Sequence, residues 1–291
     1  MFCAYRTNST LVITEVLADI KKLLTGETNV ANLGASCDKA NTTITSTIAA
    51  GWTDADPTGV NTKLVLSAPD LDAVTTKIAV ISVPAATWTI QCAETWNTTT
   101  HVGTNLSAVG NGSTISLSAV LFLYIWATPR YIYILPNQSA AFGVLLSFGE
   151  LSRSASLSDY YSIGNAKHLH YCNLTGATGA THFTRAKNNT SVGETLGTAS
   201  VSTCLGTYLA TSNIITPVRQ FNETITYTVM PKWLAVSNNT TNYALMSTQV
   251  DGYIIVGNTG STYLDEVTIG GLQYQILAPS GQTAAFLVYK G

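Results

Sequence analysis

Short runs of β-branched and aliphatic residues, each cut off by a turn signal, recur along most of this chain and decide what it can fold into. Lys77-Ile-Ala-Val-Ile-Ser-Val83 and Gly252-Tyr-Ile-Ile-Val-Gly257 are typical of them. Such runs, bounded by Gly, Pro, Asn or Ser, read as strands. The pattern predicts strands over 63–68, 77–83, 87–94, 114–127, 130–135, 142–150, 223–230, 232–237, 252–257, 263–269, 272–278 and 283–289. Gly59, Asn111-Gly112, Pro136-Asn137, Asn258-Thr-Gly260, Gly270-Gly271 and Ser280-Gly281 supply turns between them. Strands this short at this spacing predict a mainly β fold with an antiparallel β-sandwich or jelly-roll-like core.

One segment has a different period. Ile13, Val16, Leu17, Ile20, Leu23 and Leu24 recur at three- and four-residue steps, which predicts an amphipathic helix over 9–24. Asn8 or Ser9 would cap its start and Gly26 its end. Glu15 and Asp19 precede Lys21 and Lys22, the order that the helix dipole favours. The apolar stripe requires a partner surface. Either the helix folds back on the β-core, or it serves as an arm that docks on a neighbouring subunit, with Ile13, Val16, Leu17, Ile20 and Leu24 as the interface.

The chain divides on this reading into a helix and extended arm at 1–61 and a β-sandwich region at 62–291. The second part suggests two packed β-subdomains, about 62–151 and 218–291, separated at 152–217, where the periodicity weakens, by a loop-rich stretch or a β-rich insertion. The last elements are the most regular. Gly270-Gly271 joins two strands in a tight hairpin that needs positive φ, and 283–289 follows as a further strand.

Composition narrows the function classes. Lys and Arg number 14 and Asp and Glu 16, so charged residues are 10% of the chain, against roughly 25% in an ordinary soluble domain. Solubility therefore falls to neutral hydroxyls and amides, as in an assembled β-protein. Hydrophobic residues at 46% argue against intrinsic disorder. A net charge of −2 with scattered cations gives no basic face for nucleic acid. The first ten residues lack the charged and apolar regions of a secretory leader, so folding in a cytosol is expected. The longest apolar stretch, 119–127, has nine residues, against the about 20 of a membrane helix, so no membrane insertion is expected.

Cys3, Cys37, Cys92, Cys172 and Cys204 are odd in number and widely spaced, and read as small hydrophobes on strands rather than a disulfide framework. The twelve Asn-x-Ser/Thr sequons read as a by-product of Thr-rich composition.

Few residues suggest chemistry. His168, His170 and Cys172 would share one face of a strand at roughly 7 Å spacing, with His182 ten residues beyond, yet the cluster lacks a further ligand in sequence and no metal or other cofactor is expected. His101 has no recognisable Ser or Cys partner, there is no Gly-x-Ser-x-Gly elbow, and no spacing singles out a carboxylate pair. An enzyme is not expected. Trp88, Trp96, Trp126, Tyr124, Tyr131, Tyr133 and Tyr171 read mostly as core. Tyr160 and Tyr161, placed in a loop, are the candidate glycan contact.

Four segments carry a resemblance: Arg6 to Gly26 (RTNSTLVITEVLADIKKLLTG), Thr128-Pro-Arg-Tyr-Ile-Tyr-Ile-Leu135, Gly149-Glu-Leu-Ser-Arg153, and the terminal strands from Tyr274 and Ala285. At this level the chain resembles virion structural proteins of tailed bacteriophages. The resemblance implies a homo-oligomer in the tail, neck or baseplate, folded in host cytoplasm and bound to other virion proteins. Capsid decoration, or a receptor- or glycan-binding adhesin, are the alternatives it leaves open.

Overall fold

The computed structural model describes residues 1–45, 50–69, 76–83, 87–93, 95–104, 106, 113–114, 122–137, 146–153, 168–172, 183–187, 202–203, 228–239, 242–256, 266–277 and 284–290. The chain is mainly β with one α-helix among these residues. Strand β1 (Phe2–Arg6) comes first, then helix α1 (Ile13–Leu24) and a 3-10 turn at Val30–Asn32. There follow β2 (Thr43–Ile44), β3 (Thr53–Asp54), β4 (Lys63–Pro69), β5 (Thr76–Ser82), β6 (Thr87–Ala93), β7 (Thr95–Asn97), β8 (Val102–Thr104) and β9 (Ser113–Thr114). The middle of the chain gives β10 (Phe122–Thr128), β11 (Tyr131–Asn137), β12 (Leu146–Arg153), β13 (His168–Cys172), β14 (Phe183–Lys187) and β15 (Ser202–Thr203). The last five are β16 (Thr228–Asn239), β17 (Asn242–Val256), β18 (Glu266–Ile269), β19 (Leu272–Leu277) and β20 (Ala284–Tyr289).

All named strands pair antiparallel. A large sheet runs β18-β19-β20-β17-β12-β11-β10-β1-β2, with β13 and β14 joined through β12 and β15 and β16 through β17. A second sheet runs β3-β4-β5-β6-β9, and β7 and β8 form a separate hairpin. The main core lies between the two sheets. Cys3, Tyr5, Leu123, Ile125, Ile132, Ile134, Leu146 and Phe148 come from the large sheet, and Leu64, Leu66, Ala79, Ile81, Trp88 and Ile90 from the smaller one. Trp52 ties the layers together, donating from Nε1 to the Thr128 carbonyl at 2.7 Å and meeting Phe148 edge-on at 5.5 Å.

The helix is part of this core. Val16, Leu17, Ile20, Leu23 and Leu24 are fully buried in it and Ile13 packs against it. The side chains read as a possible subunit interface are thus occupied within the chain, because the inner faces of both sheets supply the apolar partner the stripe needs. Nor are residues 1–61 an extended arm. Phe2 to Arg6 pairs in full register with Trp126 to Phe122, and β1 sits inside the large sheet between β10 and β2.

The helix is also shorter than its periodicity suggests. It starts at Ile13, because Asn8 spends its side chain on the Thr10 N–H and the Ala35 carbonyl in the preceding turn. The C-terminal expectation is closer: Thr25 caps the helix and Gly26 takes φ 116° just beyond it. Glu15 and Asp19 do more than match the dipole. Asp19, buried, accepts from Tyr5 Oη at 2.9 Å and from the Gly34 N–H at 2.7 Å. Glu15 accepts from Ser36 N–H and Oγ at 3.0 and 2.6 Å. These carboxylates bind helix, β1 and the 34–36 loop into one unit.

The regions read as 62–151 and 218–291 share the large sheet, since Leu151 to Arg153 pairs with Gln249 to Ser247. Within 152–217, read as loop-rich or as a β-rich insertion, the described residues form β13, β14 and β15. Of the strands read separately at 223–230 and 232–237, the described residues from Thr228 on form one strand, β16, through Pro231, and 223–227 lie outside the described residues. The Gly270-Gly271 turn is as expected, with φ of 58° and 84° and Ile269 opposite Leu272.

The large sheet curls. Trp126 on β10 donates from Nε1 to Gln275 Oε1 on β19 at 2.9 Å, although five pairing steps separate these strands. In a flat sheet that is about 24 Å, at 4.7–4.9 Å per strand. The C-terminal hairpin therefore folds back over the outer face of β10.

Candidate functional site

The residues singled out from sequence do not converge. His168, His170 and Cys172 fall on β13, where register sets His170 directly opposite Glu150 on one side and Arg185 on the other. Tyr160, Tyr161 and His182 lie outside the described residues. Among the described residues there is no group of three or more His, Cys, Asp or Glu arranged to hold a metal ion. Two other arrangements stand out.

The first is built on His101. β7 and β8 are joined by Thr98 to His101, with Asn97 Oδ1 accepting from the Thr99 and Thr100 N–H groups at 2.9 and 3.0 Å. His101 ends the loop at φ 55°, a left-handed conformation that His tolerates better than most side chains. Its Nδ1 lies 2.9 and 3.0 Å from the two carboxylate oxygens of Asp56, so Nδ1–H donates and the ring orientation is set. The Asp56 side chain is 2% exposed, in a turn closed by the Gly59 N–H on the Asp56 carbonyl. A Cβ on Gly59 would meet Asp56 Oδ2 at 2.5 Å, so this turn demands glycine.

The Asp56–His101 pair orients an imidazole as hydrolytic sites do, but no described hydroxyl or thiol hydrogen-bonds to Nε2. What it achieves visibly is mechanical. It clamps the hairpin to the 54–59 turn, and Trp96 and Ala55 then cover Val65, Ile78, Val80 and Ala93 on the outer face of the smaller sheet. Sequence reading missed the pair because its members are 45 residues apart.

The second arrangement is the outer face of β1 and β10. Side chains alternate across a strand, so while Cys3, Tyr5, Leu123 and Ile125 enter the main core, Phe2, Ala4, Tyr124 and Trp126 point the other way. Phe122, Tyr124 and Trp126 form a ladder of rings with centroids 6.4 and 6.1 Å apart and planes within 14° and 30°. Exposure rises along it. Trp126 is buried beneath the C-terminal hairpin, whereas Tyr124 and Phe122 are half-buried. At the open end the Arg6 guanidinium lies 4.9 Å over the Phe122 ring, its Nε 3.6 Å from Asp38. Tyr124 and Trp126 were recognised as strand aromatics. The Phe2–Ala4–Arg6 row was not, although its alternation with Cys3 and Tyr5 is a period-two signal.

Buried titratable groups lie on the core side of the same strand. Burial pushes the Cys3 thiol up, with Cys37 adding to the effect. Burial also raises the Tyr5 phenol, and the neighbouring Asp19 carboxylate raises it further. Neither group is prepared to act as a nucleophile. No protein-family model matches this chain, and no curated protein matches its sequence.

Proposed function

We propose that this chain is a non-enzymatic structural component of a tailed-bacteriophage particle, assembling symmetrically in the tail, neck or baseplate. The resemblance of its four segments to virion proteins supports the reading. So does an antiparallel sandwich whose sheets, among the described residues, end in short strands paired on one side only: β2 and β18 in the large sheet, β3 and β9 in the small one. The observation that carries it is β18, where Glu266 to Ile269 pairs, among the described residues, with β19 alone. An unpaired edge in a protein with little charge to guard it suits completion by a neighbouring subunit. With α1 committed to the core, contacts between subunits run through such edges and not through an N-terminal arm.

The test is the copy number per virion against the major capsid protein, by quantitative densitometry, together with electron microscopy of the purified chain. Rings or oligomers of three- or sixfold symmetry at low copy number are expected. A copy number near that of the capsid protein would move the chain to capsid decoration, and a monodisperse monomer absent from particles would overturn the reading.

A further inference from the structure

The outer edge of β18 is complementary to itself. β19 lies between β18 and β20, and its Gln273 carbonyl accepts from the Lys290 N–H, just past β20, at 2.9 Å. That carbonyl therefore faces away from β18. Thr268 stands opposite Gln273, so the two form a non-hydrogen-bonded pair, and the N–H and C=O of Thr268 point out of the sheet edge. The same alternation turns those of Glu266 outward and spends those of Val267 and Ile269 on Tyr274 and Leu272. Among the described residues no strand lies beyond β18. Glu266 and Thr268 on one face are exposed, Val267 and Ile269 on the other are half-buried, and a Cβ on the exposed Gly270 would meet nothing within 4 Å.

A strand that meets its own copy about a twofold axis normal to the sheet pairs antiparallel and keeps its two faces distinct. Outward-pointing backbone groups must then meet outward-pointing groups, and the register that engages all of Glu266 to Gly270 is centred on Thr268. It would set Thr268 against Thr268 of the copy, Val267 against Ile269 and Glu266 against Gly270. The two Thr268 residues would exchange two backbone hydrogen bonds, and Val267 with Ile269 is a β-branched pair of the kind that stabilises neighbouring strands. The carboxylates would not face each other. Glu266 would meet a glycine, and Lys290 already pairs with it. From Glu266 to Ile269 the strand has no Lys, Pro or bulge to guard its edge.

We propose that β18 pairs antiparallel with β18 of a second copy of this chain, centred on Thr268, so that the two large sheets become one. The inference rests on the reading that sheet edges are completed between subunits, and it names the occupant of this edge. It yields a twofold dimer, and a sixfold assembly is three such dimers in contact through other edges. The two readings fail separately. A chain present in particles at low copy number but monomeric in solution defeats the pairing alone, and a Thr268-dependent dimer absent from particles defeats the particle reading alone.

Sedimentation velocity of the full chain over about 1–200 μM tests it, a range suited to the weak association of interfaces under about 1,200 Å². A concentration-dependent dimer, or an assembly with an even number of copies, is expected. Thr268→Pro deletes an N–H that the hairpin does not use, at an edge position where Pro is tolerated. It should keep the thermal midpoint and weaken the dimer about tenfold or more, the scale of losing two backbone hydrogen bonds. Should that variant not fold, Thr268→Lys leaves the backbone intact, sets two like charges across the axis, and must weaken the dimer about threefold or more. Cysteine variants read the register. Cα atoms of a hydrogen-bonded antiparallel pair are about 5.5 Å apart, within disulfide reach, so Thr268→Cys should cross-link on mild oxidation beyond the wild-type background. Glu266→Cys, about 14 Å from its own copy at about 3.4 Å per residue, should not. A monomer throughout the range, an odd-numbered assembly, association unchanged in the folded variants, or cross-linking as ready through Glu266→Cys as through Thr268→Cys would overturn the proposal.

Discussion

Deleting residues 1–26 separates the two roles open to the helix. An arm would leave a folded β-domain behind; the structure predicts collapse. Val16, Leu17, Ile20, Leu23 and Leu24 are each 0–2% exposed. Burying such a side chain is worth about 1.5–3 kcal/mol, so these five account for about 10 kcal/mol. That is on the order of the whole net stability of a domain, roughly 5–15 kcal/mol. The deletion also removes Cys3 and Tyr5 from the core and strips β1 from β10, leaving an apolar edge unpaired. Urea unfolding followed by circular dichroism is the assay, with Leu23→Ala as the graded control. The single variant should lose about 2–5 kcal/mol while keeping a cooperative transition. The truncated chain should show none, or be insoluble. A truncated protein that unfolds cooperatively near the midpoint of the full chain would refute the reasoning.

Gln275→Leu removes the acceptor for the buried Trp126 Nε1, and an unsatisfied buried donor of this kind costs about 1–3 kcal/mol; the loss should be visible as a lower urea midpoint. His101→Ala and His101→Gly both remove the partner of buried Asp56, but only glycine adopts φ 55° freely, so the glycine variant should retain about 1 kcal/mol more stability. Alkaline pH should destabilise the fold: Tyr5 and Cys3 have their pKa values raised in the native state, so their contribution is complete below the unfolded values of about 8.5–10 and drains away as pH rises beyond them. A urea midpoint that is flat from pH 7 to about 8.5 and falls above it checks this, and the fall should be smaller in Tyr5→Phe combined with Cys3→Ala.

Local chemistry was legible in the sequence where a local rule decides the structure. The Gly270-Gly271 hairpin depends on positive φ at two adjacent positions, and the Ile13 to Leu24 stripe depends on a 3.6-residue period. Both are written within a dozen residues. The destination of the stripe was not, because the core it joins is completed by side chains from β4, β6 and β10, far along the chain. Asn8 looked like a cap because capping residues and turn residues are the same residues, and only the position of Ala35 decides between them. The Asp56–His101 clamp and the Trp126–Gln275 bond join residues 45 and 149 positions apart, and no pattern in sequence marks such partners.

The low charge and the continuous apolar runs have one structural cause. In β5, Ala79 and Ile81 enter the main core while Ile78 and Val80 are buried on the opposite face beneath Trp96 and Ala55. In β10, Leu123 and Ile125 enter the main core while Trp126 is buried beneath the C-terminal hairpin. Both sheets are covered on two faces here, so their strands lose the polar alternation of a half-exposed sheet and read as unbroken runs. Covering both faces leaves little sheet surface on which charged residues could stand. Among the described residues the outer face of β1 and β10 is less fully covered towards Arg6, where Tyr124 and Phe122 are half-buried.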